Sequence, residues 1–407
     1  MKQKALGFTE FVALMASMMA LAALSTDAML PALRNIGEDL GVVRENSSQL
    51  IVSFLFLGMA VGQIAYGPVS DSVGRKPTIY AGYVLYIAGC LLSIFAPTFS
   101  IMLAGRLLQG VGIAGPRSVT MALVRDQFEG RAMARVMSFV MSVFILVPVI
   151  APSFGQAILL MASWRAIFGA LLALALITAL WFAIRHPETL PVERRIPFSG
   201  GRIWNAIREI FAHRPSLGYT LAAGLVTGAF SGYLNSAQQI FQEQYGLGTK
   251  FPLYFAVIAL ALGGASFTNG RLVMRFGMRA LSGWSAQALV VLSVGFVGIA
   301  FAMGGQPSLT LFMTYLMASF FAIGILFGNL NALAMEPLGH IAGVGAAVVG
   351  SLSTFISVPL GIVIGQAYDG TVLPLVAGFA VLSVLSFGIM KWAEGKRALV
   401  KVETSHG

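Results

Sequence analysis

Twelve apolar runs, each about the length of a membrane crossing, dominate this chain. They fall near residues 8–30, 48–68, 76–96, 98–122, 134–158, 164–184, 216–241, 251–270, 280–303, 309–333, 342–366 and 371–391. A helix needs roughly twenty apolar residues to cross a bilayer core. Hydrophobic residues make up 57% of the chain and charged ones 10%, where a soluble domain carries about a quarter charged. The chain reads as an all-α integral membrane protein with twelve transmembrane helices. The boundaries predict an N-terminal bundle over 1–185, a polar linker over 186–215 and a C-terminal bundle over 216–407.

Gly67-Pro68-Val69-Ser70-Asp71-Ser72-Val73-Gly74-Arg75-Lys76-Pro77-Thr78 sits between the second and third runs and predicts a tight loop at a membrane face. Gly67 and Gly74 permit a sharp turn, Asp71 can cap or pair, and Pro77 suits the first turn of the next helix. A weaker copy, Asn269 to Arg279, follows the second run of the second half, so the chain reads as two related halves. The linker carries Arg202 to Phe211, where Ile203, Trp204, Ile207, Ile210 and Phe211 share a helical stripe suited to a membrane interface or to tying the halves together.

The net charge is +10, and its placement encodes topology rather than nucleic-acid binding. Lys2, Lys4, Arg75, Lys76, Arg125, Arg131, Arg135, Arg185, Arg194, Arg195, Arg202, Arg208 and Arg214 fall on one face, with Arg271, Arg275, Arg279, Lys391, Lys396, Arg397 and Lys401. Only Arg34, Arg44, Arg165 and Lys250 fall on the other. That asymmetry puts both termini in the cytoplasm. The first apolar run continues to about Leu30, too long for a cleaved leader, and reads as a retained helix. Cys90 is the single cysteine, which excludes an intramolecular disulfide and a cysteine metal cluster. HExxH, CxxC, GxSxG and Walker sequences are absent, which argues against an enzyme and against nucleotide-driven transport.

Few charges remain at membrane depth: Asp27, Arg106 and Arg117, with Glu336 near an end. Each costs about 2.5–3.5 kcal/mol at a helix centre and needs a partner or a watery cavity. Asp27 and Arg106 lie at comparable depth on antiparallel spans, so an interaction between them, direct or through water, is expected. A static buried ion pair and a proton-exchanging pair both satisfy that expectation. Arg117 shares the Arg106 stripe, either as a second cavity charge or as a side chain snorkelling to the headgroups. Gln109, Met137, Phe230, Tyr233, Asn235 and Asn329 join it as candidate cavity residues. Pro148, Pro152 and Gly155 mark the fifth span as a candidate hinge. Gly105, Gly110, Gly112 and Gly115 crowd the fourth, either for close helix approach or for softness.

Taken together, these motifs resemble the major facilitator superfamily, and within it the twelve-span drug–proton antiporters of the bicyclomycin/chloramphenicol-resistance type. Gly67 to Lys76 is similar to the family's signature loop. Arg106-Leu107-Leu108-Gln109-Gly110-Val111-Gly112 resembles its fourth-helix motif, and Ser25 to Leu33 the first-helix motif of the subgroup. Ala334 to Gly343 and Pro187-Glu188-Thr189 also resemble subgroup segments. Ser72 departs from the usual arginine, and Val147-Pro148 to Gly155 is a partial antiporter motif. The resemblance implies two six-helix bundles related by pseudo-twofold symmetry around a central cavity. It implies Asp27 and Arg106 as proton-coupling residues and Gly67, Asp71, Gly74, Arg75 and Lys76 as a gating loop. The expected function is proton-driven export of amphipathic or lipophilic small molecules, by a monomer in a bacterial inner membrane and without a cofactor. The alternative is a proton symporter importing a polar metabolite or siderophore.

Overall fold

Backbone in hydrocarbon must satisfy its own hydrogen bonds, so apolar runs of this length fold as helices. The computed structural model describes residues 6–395, and among these every regular element is helical. Lys2, Lys4, Lys396, Arg397 and Lys401 lie outside the described residues. The helices are α1 (Phe8–Asp27), α2 (Leu33–Asp39), α3 (Leu50–Val73), α4 (Arg75–Ile94), α5 (Phe99–Gln127), α6 (Gly130–Met161) and α7 (Arg165–Arg185). They continue with α8 (Gly200–Ala212), α9 (Arg214–Leu234), α10 (Phe251–Phe276), α11 (Met278–Ala302), α12 (Leu309–Met335), α13 (Ala342–Gln366) and α14 (Leu373–Glu394). All but the short α2 and α8 have spanning length. Among the described residues ten stretches are both long and apolar enough to cross a membrane, and one of them, Leu309–Gln366, holds α12 and α13 together. α9 falls outside that set because Ser216, Tyr219, Thr220, Thr227 and Ser231 dilute its apolar character.

The chain divides into two compact units. One comprises Met1–Gly200 with Leu247–Ala256, the other Gly201–Gly246 with Val257–Gly407. In the first unit the glycines of α5 settle the choice between close approach and softness. A Cβ on Gly110 would lie 2.1 Å from the Leu55 carbonyl oxygen of α3, and one on Gly58 would lie 2.1 Å from that of Leu107. The backbones touch there, as small residues allow within membranes. In the second unit Asn269 of α10 and Asn329 of α12 exchange two amide hydrogen bonds, each 2.9 Å. An aromatic cluster fills its interior, with Phe296 stacked on Tyr315 at 4.2 Å.

The signature stretch is mostly helix, not loop. α3 runs through Pro68 as far as Val73 and α4 starts at Arg75, so Gly74 alone makes the turn. Its φ of 112° belongs to the left-handed half of conformational space that glycine enters freely. The second half repeats the device with Gly277, at φ 79° between α10 and α11.

Two more marked stretches take definite form. α6 is helical through Pro148 and Pro152. On α8 the apolar stripe splits. Ile210 and Ala206 are buried while Trp204 is 66% exposed, and Glu209 pairs with His340 inside the same second unit at 2.8 Å.

Candidate functional site

Arg106 is fully buried within α5 of the first unit, and it holds oxygens on two other helices. Its Nε donates to the Ile51 carbonyl on α3 at 3.0 Å and its Nη2 to the Ser25 carbonyl on α1 at 2.8 Å. Nη1 donates to Gln109 Oε1 at 2.7 Å, and Gln109 Nε2 donates in turn to Cys90 Sγ on α4 at 3.0 Å. Ser25 Oγ lies 2.6 Å from Tyr86 OH, and the Phe168 ring sits 5.8 Å from the guanidinium. A planar fork of five donors suits such a socket, because each oxygen needs its own direction.

Asp27 closes α1, which stops because Pro31 opens a short 3₁₀ turn over Leu30–Ala32. Its side chain is buried, yet among the described residues no hydrogen bond or ion pair reaches it. Of the interaction expected from depth, direct or through water, the direct Asp27–Arg106 contact is not made. The guanidinium takes carbonyls instead, which a buried arginine can do without an opposite charge. Gly155, an expected hinge, is where α6 meets the end of α1. A Cβ there would lie 1.9 Å from the Ala28 carbonyl oxygen. Its smallness serves contact.

At the other end of the unit, Gly74 brings Arg75 into a charged network. Arg75 Nη1 donates to Asp71 Oδ1 at 2.5 Å and to Ser70 Oγ at 2.8 Å, while Nε donates to Asp126 Oδ2 at 2.9 Å. Glu188 caps α4 by accepting the backbone N–H groups of Arg75 at 3.0 Å and Lys76 at 2.9 Å. Negative charge at a helix N-terminus meets unpaired donors and the positive end of the dipole. Thr189 Oγ1 donates to Asp126 at 3.0 Å and Lys76 Nζ to the Ala183 carbonyl at 3.0 Å. Asp126 was not picked out from the sequence; the Arg125-Asp126 pair just past the fourth run was its only signal. Gly67 lies one turn before the network, with its carbonyl accepting from Ser70 Oγ at 2.9 Å.

Two expected outcomes follow from this network. Gly74→Ala combines a left-handed φ with a Cβ 2.7 Å from Glu188 Oε2. It should cost about 1–3 kcal/mol and be seen as a lowered melting temperature and slowed transport; wild-type values for both would sink the assignment. Glu188 is drawn both ways: burial works to raise its pKa, and the N–H groups of Leu190, Lys76 and Arg75 more than offset that, leaving it below the ordinary 4.5. A depressed carboxylate stabilises the fold above its unfolded pKa, and that help is lost as pH falls through the folded value. Melting temperatures of wild type and Glu188→Gln should therefore differ at neutral pH and converge only below about 4.5; a constant gap would contradict the cap. Next to it, burial pushes His186 below the usual histidine range, only partly offset by the Pro187 carbonyl.

The remaining candidates belong to both units. Gln109 is wholly buried and committed to Arg106 and Cys90. Asn329 is committed to Asn269. Asn235 is buried where α9 meets Gly361 and Gly365 of α13. Tyr233 and Phe230 are partly or wholly buried against Phe320, with centroids 4.7 and 5.9 Å away. Met137 and Arg117 are partly buried. Glu336 is half exposed and pairs with Arg279 at 2.5 Å.

The described residues form a multi-pass helical chain with buried charges inside its spans. Residues 8–362 match the family profile of the Major Facilitator Superfamily, and the chain belongs to that superfamily. It is 28% identical over 382 residues to an uncharacterized transporter of that type, YdgK of Bacillus subtilis, covering 92% of this chain and 94% of the relative. It is also 28% identical to a bicyclomycin resistance protein homolog of Haemophilus influenzae, covering 89% and 91%. The multidrug resistance protein MdtL of Klebsiella pneumoniae matches at 28% over 331 residues, 80% of each chain. Among solved structures, the human organic anion transporter MFSD10 superposes with a TM-score of 0.73 at 18% identity, covering 95% of this chain and 100% of that one. A D-xylose–proton symporter superposes at 0.74 with 13% identity, covering 94% and 97%. These likenesses establish the fold of two helical bundles.

Proposed function

We propose that this chain is a proton-coupled antiporter that exports amphipathic or lipophilic small molecules by alternating access. It works as a monomer in a bacterial cytoplasmic membrane, driven by the proton gradient and without a cofactor. Positive charges crowding one face in the sequence support placing both termini in the cytoplasm. The names of the bicyclomycin-resistance and MdtL relatives support drugs as the cargo.

The observation that carries the reading is Asp27, a buried carboxyl with no bound partner. A membrane acid of this kind is ionised only while water or a counter-charge reaches it, so its proton follows access to one side or the other. Arg106 holds the carbonyl two residues earlier and fixes where the carboxyl stands. Gly155 ties the same turn of chain to α6, so a moving α6 carries Asp27 with it. The Asp71–Arg75–Asp126 network, with Glu188, latches the cytoplasmic ends of α3, α4 and α5 in one state.

The test is accumulation of a lipophilic compound in proteoliposomes under an imposed pH gradient. Exchange of one proton per molecule gives about tenfold accumulation per pH unit. Equilibration without accumulation would reject proton coupling.

A further inference from the structure

Arg117 is the one deep cation the mechanism above does not use. We infer that it is an anion-recognition site, taking the carboxylate, sulfonate or phosphate of an amphipathic organic substrate. The inference deepens the exporter reading and rests on it.

Position comes first. α5 spans 29 residues, and Arg117 stands ten residues before its end at Gln127, about 15 Å along the axis. Asp126, the nearest acid on that helix, lies about 13 Å away along the axis and already serves Arg75. Snorkelling to the network is thus ruled out by length. Partnership comes second. Arg117 is only partly buried, and among the described residues no hydrogen bond, ion pair or ring contact engages it.

Two other acids of the unit already hold arginines. Glu10 pairs with Arg185 at 2.6 Å and Asp39 with Arg165 at 2.6 Å. Arg106 shows how a buried guanidinium of this helix is satisfied without a ligand, by three neutral oxygens within 3.0 Å. Arg117 has none of these. Its stripe of α5 carries two positive charges, and Asp27 is the single acid at membrane depth. A cationic substrate would add a third positive charge to this surface, whereas an anionic one supplies the missing counter-charge through a strong, charge-assisted bond.

The test uses matched sets of aromatic compounds: the carboxylate, carboxamide and trimethylammonium derivatives of naphthalene, biphenyl and anthracene. Binding is measured by calorimetry on purified protein in phosphatidylcholine nanodiscs. Carboxylates should bind about 10- to 100-fold more tightly than the paired carboxamides, the range expected of a hydrogen bond to a charged group. Arg117→Gln should bring that ratio near one, and Arg117→Lys should keep most of it. A wild-type ratio near one, a preference for the cations, no binding by any carboxylate, or a ratio unmoved by Arg117→Gln would each overturn the inference. Repeating the wild type with phosphatidylglycerol separates solute from lipid. Collapse of the ratio there would assign the site to a lipid phosphate and overturn a substrate role. Gradient-driven accumulation of the same compounds keeps the two readings apart. Transport with no charge preference sinks this inference alone, and charge-selective binding without accumulation sinks the exporter alone.

Discussion

Arg106→Lys is expected to fail almost as completely as Arg106→Ala. Three oxygens on three elements each receive a differently directed N–H from the guanidinium. A lysine ammonium is a single point and cannot face all three from one rotamer. Each buried acceptor left unpaired costs about 1–3 kcal/mol, and the alanine variant adds a cavity. Losses of about 3–5 kcal/mol, or on the order of 10 °C in melting temperature, should appear by intrinsic-fluorescence melting for both variants. Reading the pair from depth alone leads to the opposite expectation, that charge without the fork suffices. Wild-type stability and transport in Arg106→Lys would restore that view and refute the socket.

The second large effect belongs to Asp27. Asparagine matches its shape and removes its proton, so Asp27→Asn should still fold and still let a neutral compound equilibrate. It should lose accumulation under a pH gradient, from about tenfold per pH unit to none. The measurement is compound uptake into proteoliposomes at matched reconstitution, with inside and outside pH set independently. Full accumulation by Asp27→Asn would remove Asp27 from coupling. Glu336, half exposed against Arg279, would then be the next acid to test.

Much of this was legible in the sequence, for a definite reason. Charges inside apolar runs are rare and costly, so Asp27, Arg106 and Arg117 stand out without any structure. The turn at Gly74 stands out because glycine between charged residues and long runs has few other uses. What the sequence hides is the partner. Arg106 could take a carboxylate or carbonyls, and carbonyls exist at every residue, so no letter of the chain announces Ser25 or Ile51 as its acceptors. Smallness is equally mute about its purpose. Gly155 looks like a hinge beside two prolines, and only the Ala28 oxygen 1.9 Å from its missing Cβ shows a point of contact. Likewise Pro68 suggests a loop, yet α3 continues past it, since a proline forfeits one backbone bond and nothing else when its neighbours allow. Asp126 escapes notice because it is an ordinary surface acid until the fold sets it beside Arg75, and the resemblance that marks Glu188 says nothing of its capping role.

The Arg106 socket also bears on how this protein tolerates change. Two of its three acceptors belong to the main chain. A peptide oxygen survives every side-chain replacement, so random mutagenesis cannot delete the acceptors at Ser25 and Ile51. A saturation screen for lost function should therefore return the side chains of Arg106 and Gln109 from this socket, with Ser25 scoring through its hydroxyl contacts to Tyr86 and the Leu21 carbonyl. A genetic map would draw the site smaller than it is, and alleles that restore function to an Arg106 variant should be sparse.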